Sequence, residues 1–163
     1  MLVVPMLHQG GFERICVLTA RLLKDTHDVY VVVFSTKDIF YDVEGLQVID
    51  MNLGAAASTV KRIINIPKRI TALKKLKKKY DIEYTYSFGT TANIVNVLAK
   101  YKDVTWAGIR GYGTLQDKGF KLICKKADCV VSCTKVMEDD IIYVEPKHQL
   151  QYIIPVPCFR FKE

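Results

Sequence analysis

Three stretches of the chain hold side chains and backbone suited to chemistry. The first is His8-Gln9-Gly10-Gly11-Phe12-Glu13-Arg14, directly after an apolar run over residues 1–7. Paired glycines let a backbone turn sharply and bring bare amides close to a ligand, and the helix that follows offers the positive end of its dipole. A phosphate, a pyrophosphate or a sugar hydroxyl would suit Gly10 and Gly11, although a simple tight turn with Glu13 in the first helical turn fits the same residues. His8 is a candidate ligand contact, but nothing close in sequence orients it as a catalytic base. Arg14 either faces a ligand or lies on the solvated side of the helix.

The second stretch, Arg110-Gly111-Tyr112-Gly113-Thr114, leaves another apolar run at residues 104–109. Arg110 then stands at the carboxyl end of a strand, where a guanidinium can hold an anion through two parallel hydrogen bonds. Gly111-x-Gly113 begins like a dinucleotide fingerprint, but Gln116 occupies the third glycine position, which argues against a nicotinamide cofactor. A glycine and tyrosine loop with an exposed arginine is the plainer alternative. The third set is Gly89 and Thr90, within Ser87-Phe88-Gly89-Thr90-Thr91, together with Thr134 after Cys133. Both segments end strands, so the threonines suit ligand binding or helix capping equally.

These loops must be positioned by a repeating pattern. Strand-sized apolar runs at residues 1–7, 29–34, 46–50, 82–88, 104–109 and 129–133 alternate with helical periods at about 11–24, 61–80, 91–101, 120–126 and 135–143. Such alternation predicts an α/β class: a doubly wound, mainly parallel Rossmann-like sheet with helices on both faces. In the first helix Phe12, Ile15, Cys16, Thr19, Leu22 and Leu23 form the expected apolar stripe. Pro5 should fray the first strand, and Pro67 should kink the long helix or start its second half. One more strand is expected at residues 148–154, so the domain is drawn as 1–154, with 155–163 as a tail.

The chain has 163 residues and half of them are apolar, enough for one domain with a real core. Net charge is +7, and nine basic residues with no acidic one fall between Lys61 and Lys79, which leaves 15 basic against 17 acidic side chains elsewhere. Lys68, Lys74, Lys75, Lys78 and Lys79 form a one-sided basic face. It reads as a solvated surface or as a contact with an anionic membrane surface. Nucleic acid is disfavoured because no interleaved aromatics accompany the charge. No apolar run approaches the ~18 to 20 residues needed to span a bilayer. The start lacks a signal-peptide pattern, so a cytoplasmic chain with reduced cysteines is expected. Cys124, Cys129 and Cys133 have a spacing a zinc site could use, but no histidine is nearby, and small core thiols are the expected role.

The His8-to-Arg14 stretch resembles the H-x-G-G-x-E-R opening of retaining glycosyltransferases of the GT-B fold, family 4. Ser87-Phe88-Gly89-Thr90-Thr91, Ile109-Arg110-Gly111 and the Ala127-to-Thr134 run are similar to that family's later βα steps, and Tyr152 to Pro157 is similar to its strand and linker into a second domain. The resemblance covers nearly all of the chain, as an amino-terminal half. It implies a domain that holds the acceptor, while a carboxyl-terminal partner domain holds the nucleotide-sugar donor, so that this half is inactive alone. Gly10 and Gly11 would lie beside the donor pyrophosphate or the acceptor oxygen, whereas Arg110 departs from the histidine many relatives carry. The implied transfer goes to a glycan or lipid-linked acceptor, as in surface polysaccharide assembly, with no metal or other cofactor. A lipid-linked acceptor would give the basic helix a purpose at the inner membrane face. The alternative is a stand-alone Rossmann-like binding module whose basic helix docks on an anionic membrane or on nucleic acid.

Overall fold

A computed structural model describes residues 1–54, 59–109, 118–132, 134, 137, 139, 141 and 142, with backbone only at 59–64 and 118. The elements run β1 (Leu2–Val4), α1 (Gly11–Leu23), β2 (Tyr30–Val33), β3 (Gln47–Asp50), α2 (Thr59–Lys79), β4 (Tyr84–Phe88), α3 (Thr90–Leu98), β5 (Val104–Ile109), α4 (Lys118–Lys126) and β6 (Cys129–Ser132). All six strands are parallel, in the order β3-β2-β1-β4-β5-β6. The expected doubly wound α/β architecture is therefore the observed one. Met137, Asp139, Ile141 and Ile142 are helical, in line with the expected helix there. The expected strand at 148–154 and the tail at 155–163 lie outside the described residues.

Side-chain alternation divides the sheet into two faces. Leu2, Val4, Val31, Val33 and Phe88 bury one face against Cys16, Val17 and Ala20 of α1. Val3, Val32 and Phe34 bury the other against Leu73 of α2 and Ala92 and Val95 of α3. A third cluster joins Ala107, Ile109 and Val130 to Phe120, Ile123 and Cys124 of α4 and to Met137 and Ile141.

Several local expectations need correction. β1 is three residues long, because Pro5 cannot donate to the ladder and its carbonyl instead accepts the Phe34 N–H. The buried stripe of α1 is Glu13, Cys16, Val17 and Ala20, while Leu22 is 67% exposed. A polar residue at its start hid that stripe from a reading based on apolar spacing. Pro67 stands inside one continuous helix α2 and starts no second one. Cys16, Cys124 and Cys129 are buried, as expected of small core groups; burial, with Asp128 nearby, pushes the Cys129 thiol up to about 11.

Candidate functional site at the switch point of the sheet

The strand order reverses between β1 and β4, and in open parallel sheets ligands bind beyond the carboxyl ends of the strands at such a point. A crevice of about 340 Å³ lies there, lined by Pro5, Phe12, Gly89, Thr90, Asn93 and Gly108 among others. Helix α3 begins in its lining, and α1 reaches it through its second residue, Phe12. Gly10 is the N-cap of α1 and Gly89 that of α3, and neither helix is capped by a side chain. Their first-turn N–H groups are thus offered towards the crevice end of the sheet.

The two glycine turns are built differently. Gly89 has φ +84, a conformation that L side chains rarely adopt, and the Phe12 ring lies 3.5 Å from where its Cβ would be. Gly10 is extended, but the space of its absent side chain is filled by the Glu13 carboxylate, whose Oε2 stands against the position a Cβ would take. The Tyr41 hydroxyl fixes this turn from the β2–β3 connection: it accepts from the Gly10 N–H at 3.1 Å and donates to the Gly10 carbonyl at 2.6 Å. At Gly11 a Cβ would meet nothing within 4 Å. Beneath the turn lies Cys16, whose thiol is pushed well above its ordinary value by burial and, next, by the charge of Glu13.

A chain of buried polar groups forms the floor. Asn93 donates to the Gly108 carbonyl at 2.8 Å and accepts from the Ser87 hydroxyl at 2.8 Å, and Asn96 donates to that same hydroxyl at 3.1 Å. The Asn96 side-chain oxygen accepts from Lys77 at 2.8 Å, and Lys77 pairs with Asp103 at 2.8 Å, both side chains fully buried. Burial alone would raise the Asp103 carboxyl, but Lys77 and the Tyr101 N–H outweigh it and hold the group below the usual carboxylate range. Burial pushes the Lys77 ammonium below its ordinary value despite that partner.

The structure brings Gly10, Gly11, Gly89 and Thr90 to the carboxyl rim of the two central strands. His8 is on the same rim but faces the next loop, its Nε2 3.2 Å from the Lys37 carbonyl oxygen. Arg14 is on the exposed side of α1, and Thr90 is the first residue of α3 and not its cap. The Thr134 hydroxyl accepts the Met137 N–H, as a helix cap does. Arg110 and Gly111 lie outside the described residues. Glu13, Tyr41 and Asn93 are site residues that sequence reasoning passed over. Only Glu13 had a local signal, its place in the first helical turn.

The basic face lies at the other end of the sheet. At its midpoint α2 is tied to the chain just after β3, where Arg69 donates to the carbonyls of Leu53 and Gly54 and lies 4.4 Å over the Phe34 ring. At its finish Lys77 meets Asp103, just before β5 begins. Lys74, Lys75, Lys78 and Lys79 are exposed at this amino-edge end, and Lys68, also exposed, is nearer the crevice end. Lys102, after the end of α3, and Lys125 and Lys126, in the last turn of α4, extend the positive edge, while Lys100 there pairs with Asp128. Among the described residues no helix is long and apolar enough to cross a membrane.

Comparison with solved structures adds a fold relationship. One structure of sucrose-phosphate synthase from Thermosynechococcus elongatus superposes with TM-score 0.60 at 15% identity, covering 89% of this chain and 81% of that one. A second structure of that enzyme gives TM-score 0.62 at 14% identity. The likeness is one of fold, the doubly wound parallel sheet described above. In this second case the match covers 88% of this chain but 44% of the other, so the chain spans less than half of the longer solved structure. No family model matches the chain, and no curated protein matches it by sequence.

Proposed function

We propose that this chain is the acceptor-binding, amino-terminal half of a GT-B sugar transferase of the retaining, family 4 type, moving a sugar from a nucleotide-sugar donor to a glycan or lipid-linked acceptor. The observation that carries this reading is the start of two helices beside the switch point: Gly89 and Thr90 of α3 line the crevice, and α1, which begins at Gly10-Gly11, reaches it through Phe12. The similarity to part of a sucrose-phosphate synthase, an enzyme named for its sugar product, supports it. In such a transfer the leaving phosphate helps to deprotonate the acceptor, and the protein acts by positioning and by stabilising charge. This half supplies one wall, and the donor nucleotide is held by a second domain, so the half alone is inactive.

The test is amide NMR of the 163-residue chain titrated with simple glycosides and with uridine and guanosine diphosphate sugars, alongside a transfer assay. Shifts clustered at Gly10, Gly11, Gly89 and Thr90 without turnover are expected. Transfer at an enzyme-like rate by the chain alone, or shifts confined to the amino edge, would overturn the reading.

The basic edge supports a further element of the proposal, attachment to an anionic membrane surface. Three successive helix ends place lysines on one side of the molecule, Lys78 and Lys79 among them.

A further inference from the structure

Glu13 is the third residue of α1, where a carboxylate ordinarily reaches back to the N-cap N–H. Here the Tyr41 hydroxyl already takes the Gly10 N–H. Glu13 is 8% exposed, its side chain folds against Gly10, and its Oε2 is buried with no hydrogen-bond partner among the described residues. Next to it, Gly11 opens onto free space.

We propose that Glu13 makes the Gly10-Gly11 turn a seat for a neutral hydroxyl of a sugar ligand, and not for a phosphate; this rests on the sugar-transfer reading and specifies which ligand group that turn receives. A helix start carries about half a unit of positive charge. A phosphate placed on it would lie within a few ångströms of a full, buried negative charge, and the like-charge repulsion in a poorly solvated place outweighs the dipole's attraction. A hydroxyl has no such conflict. It accepts from a first-turn N–H and donates to the carboxylate, which turns about its last side-chain bond to present an oxygen and so gains the partner Oε2 lacks. Gly11 then leaves room for the ring that bears the hydroxyl, and Gly10 leaves room for the carboxylate itself.

The experiment compares the unaltered 163-residue chain with Glu13→Gln and Glu13→Ala. Each is titrated with methyl glycosides of glucose, galactose, mannose and N-acetylglucosamine and, separately, with sodium pyrophosphate, reading the Gly11 and Phe12 amides, with thermal melts to verify folding. At least one glycoside is expected to shift Gly11 in the unaltered chain and to bind about tenfold more weakly to Glu13→Ala. Pyrophosphate is expected to bind poorly, and at least tenfold better to Glu13→Gln. Pyrophosphate binding at Gly11 of the unaltered chain more tightly than any glycoside overturns the hydroxyl seat without recourse to a variant. Glycoside shifts that ignore Glu13, or no gain for pyrophosphate in Glu13→Gln, also overturn it and leave the sugar-transfer reading standing. Absence of all glycoside binding, with the pyrophosphate gain present, refutes the sugar-transfer reading and with it the ligand assigned to this seat.

Discussion

Replacing Gly11 and Gly89 by alanine, one at a time, should move stability in opposite directions although both stand at the start of a helix. Gly89 has φ +84 and ψ 149, a region almost confined to glycine, while its added methyl would make an ordinary 3.5 Å contact with Phe12. The penalty is therefore backbone strain alone, about 1–3 kcal/mol. Gly11 is not among the glycines with positive φ, and its methyl would touch nothing within 4 Å. Alanine there restricts the unfolded chain and favours the helix, a gain of about 0.4–1 kcal/mol. In a chain of this size 1 kcal/mol shifts the melting temperature by roughly 2–4 °C. Gly89→Ala should melt about 2–12 °C lower and Gly11→Ala about 1–4 °C higher, as measured by calorimetry at one pH. Gly11→Ala should nonetheless weaken glycoside binding, since the methyl enters the space that a ligand would use. If Gly11→Ala destabilises the fold as much as Gly89→Ala does, or binds glycosides as the unaltered chain does, the assignment of open space at Gly11 is refuted.

Lys77→Met leaves the Asp103 carboxylate buried without its cation and should cost about 3–5 kcal/mol, read from urea unfolding. Adding Asp103→Asn should restore part of that loss, and additive losses would show that the two side chains are not coupled. Because the Asp103 carboxyl is held below its ordinary value when folded, its contribution is present above about pH 4 and fades as pH falls through the folded-state value. The Lys77 shift acts at the other end: with a lowered folded value, its cost at neutral pH is relieved as pH rises towards the ordinary lysine range. Melts from pH 7 to pH 3 should thus fall less steeply for Asp103→Asn than for the unaltered chain. Changing Lys74, Lys75, Lys78 and Lys79 to Glu should abolish sedimentation with phosphatidylserine vesicles and leave glycoside shifts at Gly11 intact; retained sedimentation would refute membrane attachment through this edge.

The sheet was legible from residues 29–34, 82–88, 104–109 and 129–133 because strands covered on both faces appear as unbroken apolar runs. The turn before α3 was legible because Gly89 takes a positive φ that other residue types rarely adopt, whereas Gly10 is extended and Gly11 is not among the glycines with positive φ. What escaped were groups whose meaning depends on a distant partner. Lys77 sits among lysines and reads as one more solvated cation, yet its partner Asp103 lies 26 residues on and both are sealed from water. Tyr41 looks like any loop tyrosine until the fold brings it 31 residues back to Gly10. Glu13 was placed in the right turn of the helix, but its burial against an N-cap whose N–H was already taken could not be read from spacing.

The run of polar groups from Asp103 through Lys77, Asn96, Ser87 and Asn93 to the carbonyl of Gly108 works as a key cut for a single alignment of the two strands it joins. Were β4 to slide past β5 by one step, each tooth would meet a hydrocarbon surface, and a stranded ammonium would penalise the misfit far more than lost packing would. The neighbouring valines and alanines offer no comparable discrimination, since one aliphatic group fits beside another almost as well as the next. Substitution along this run should accordingly be tolerated as a matched set and resisted member by member.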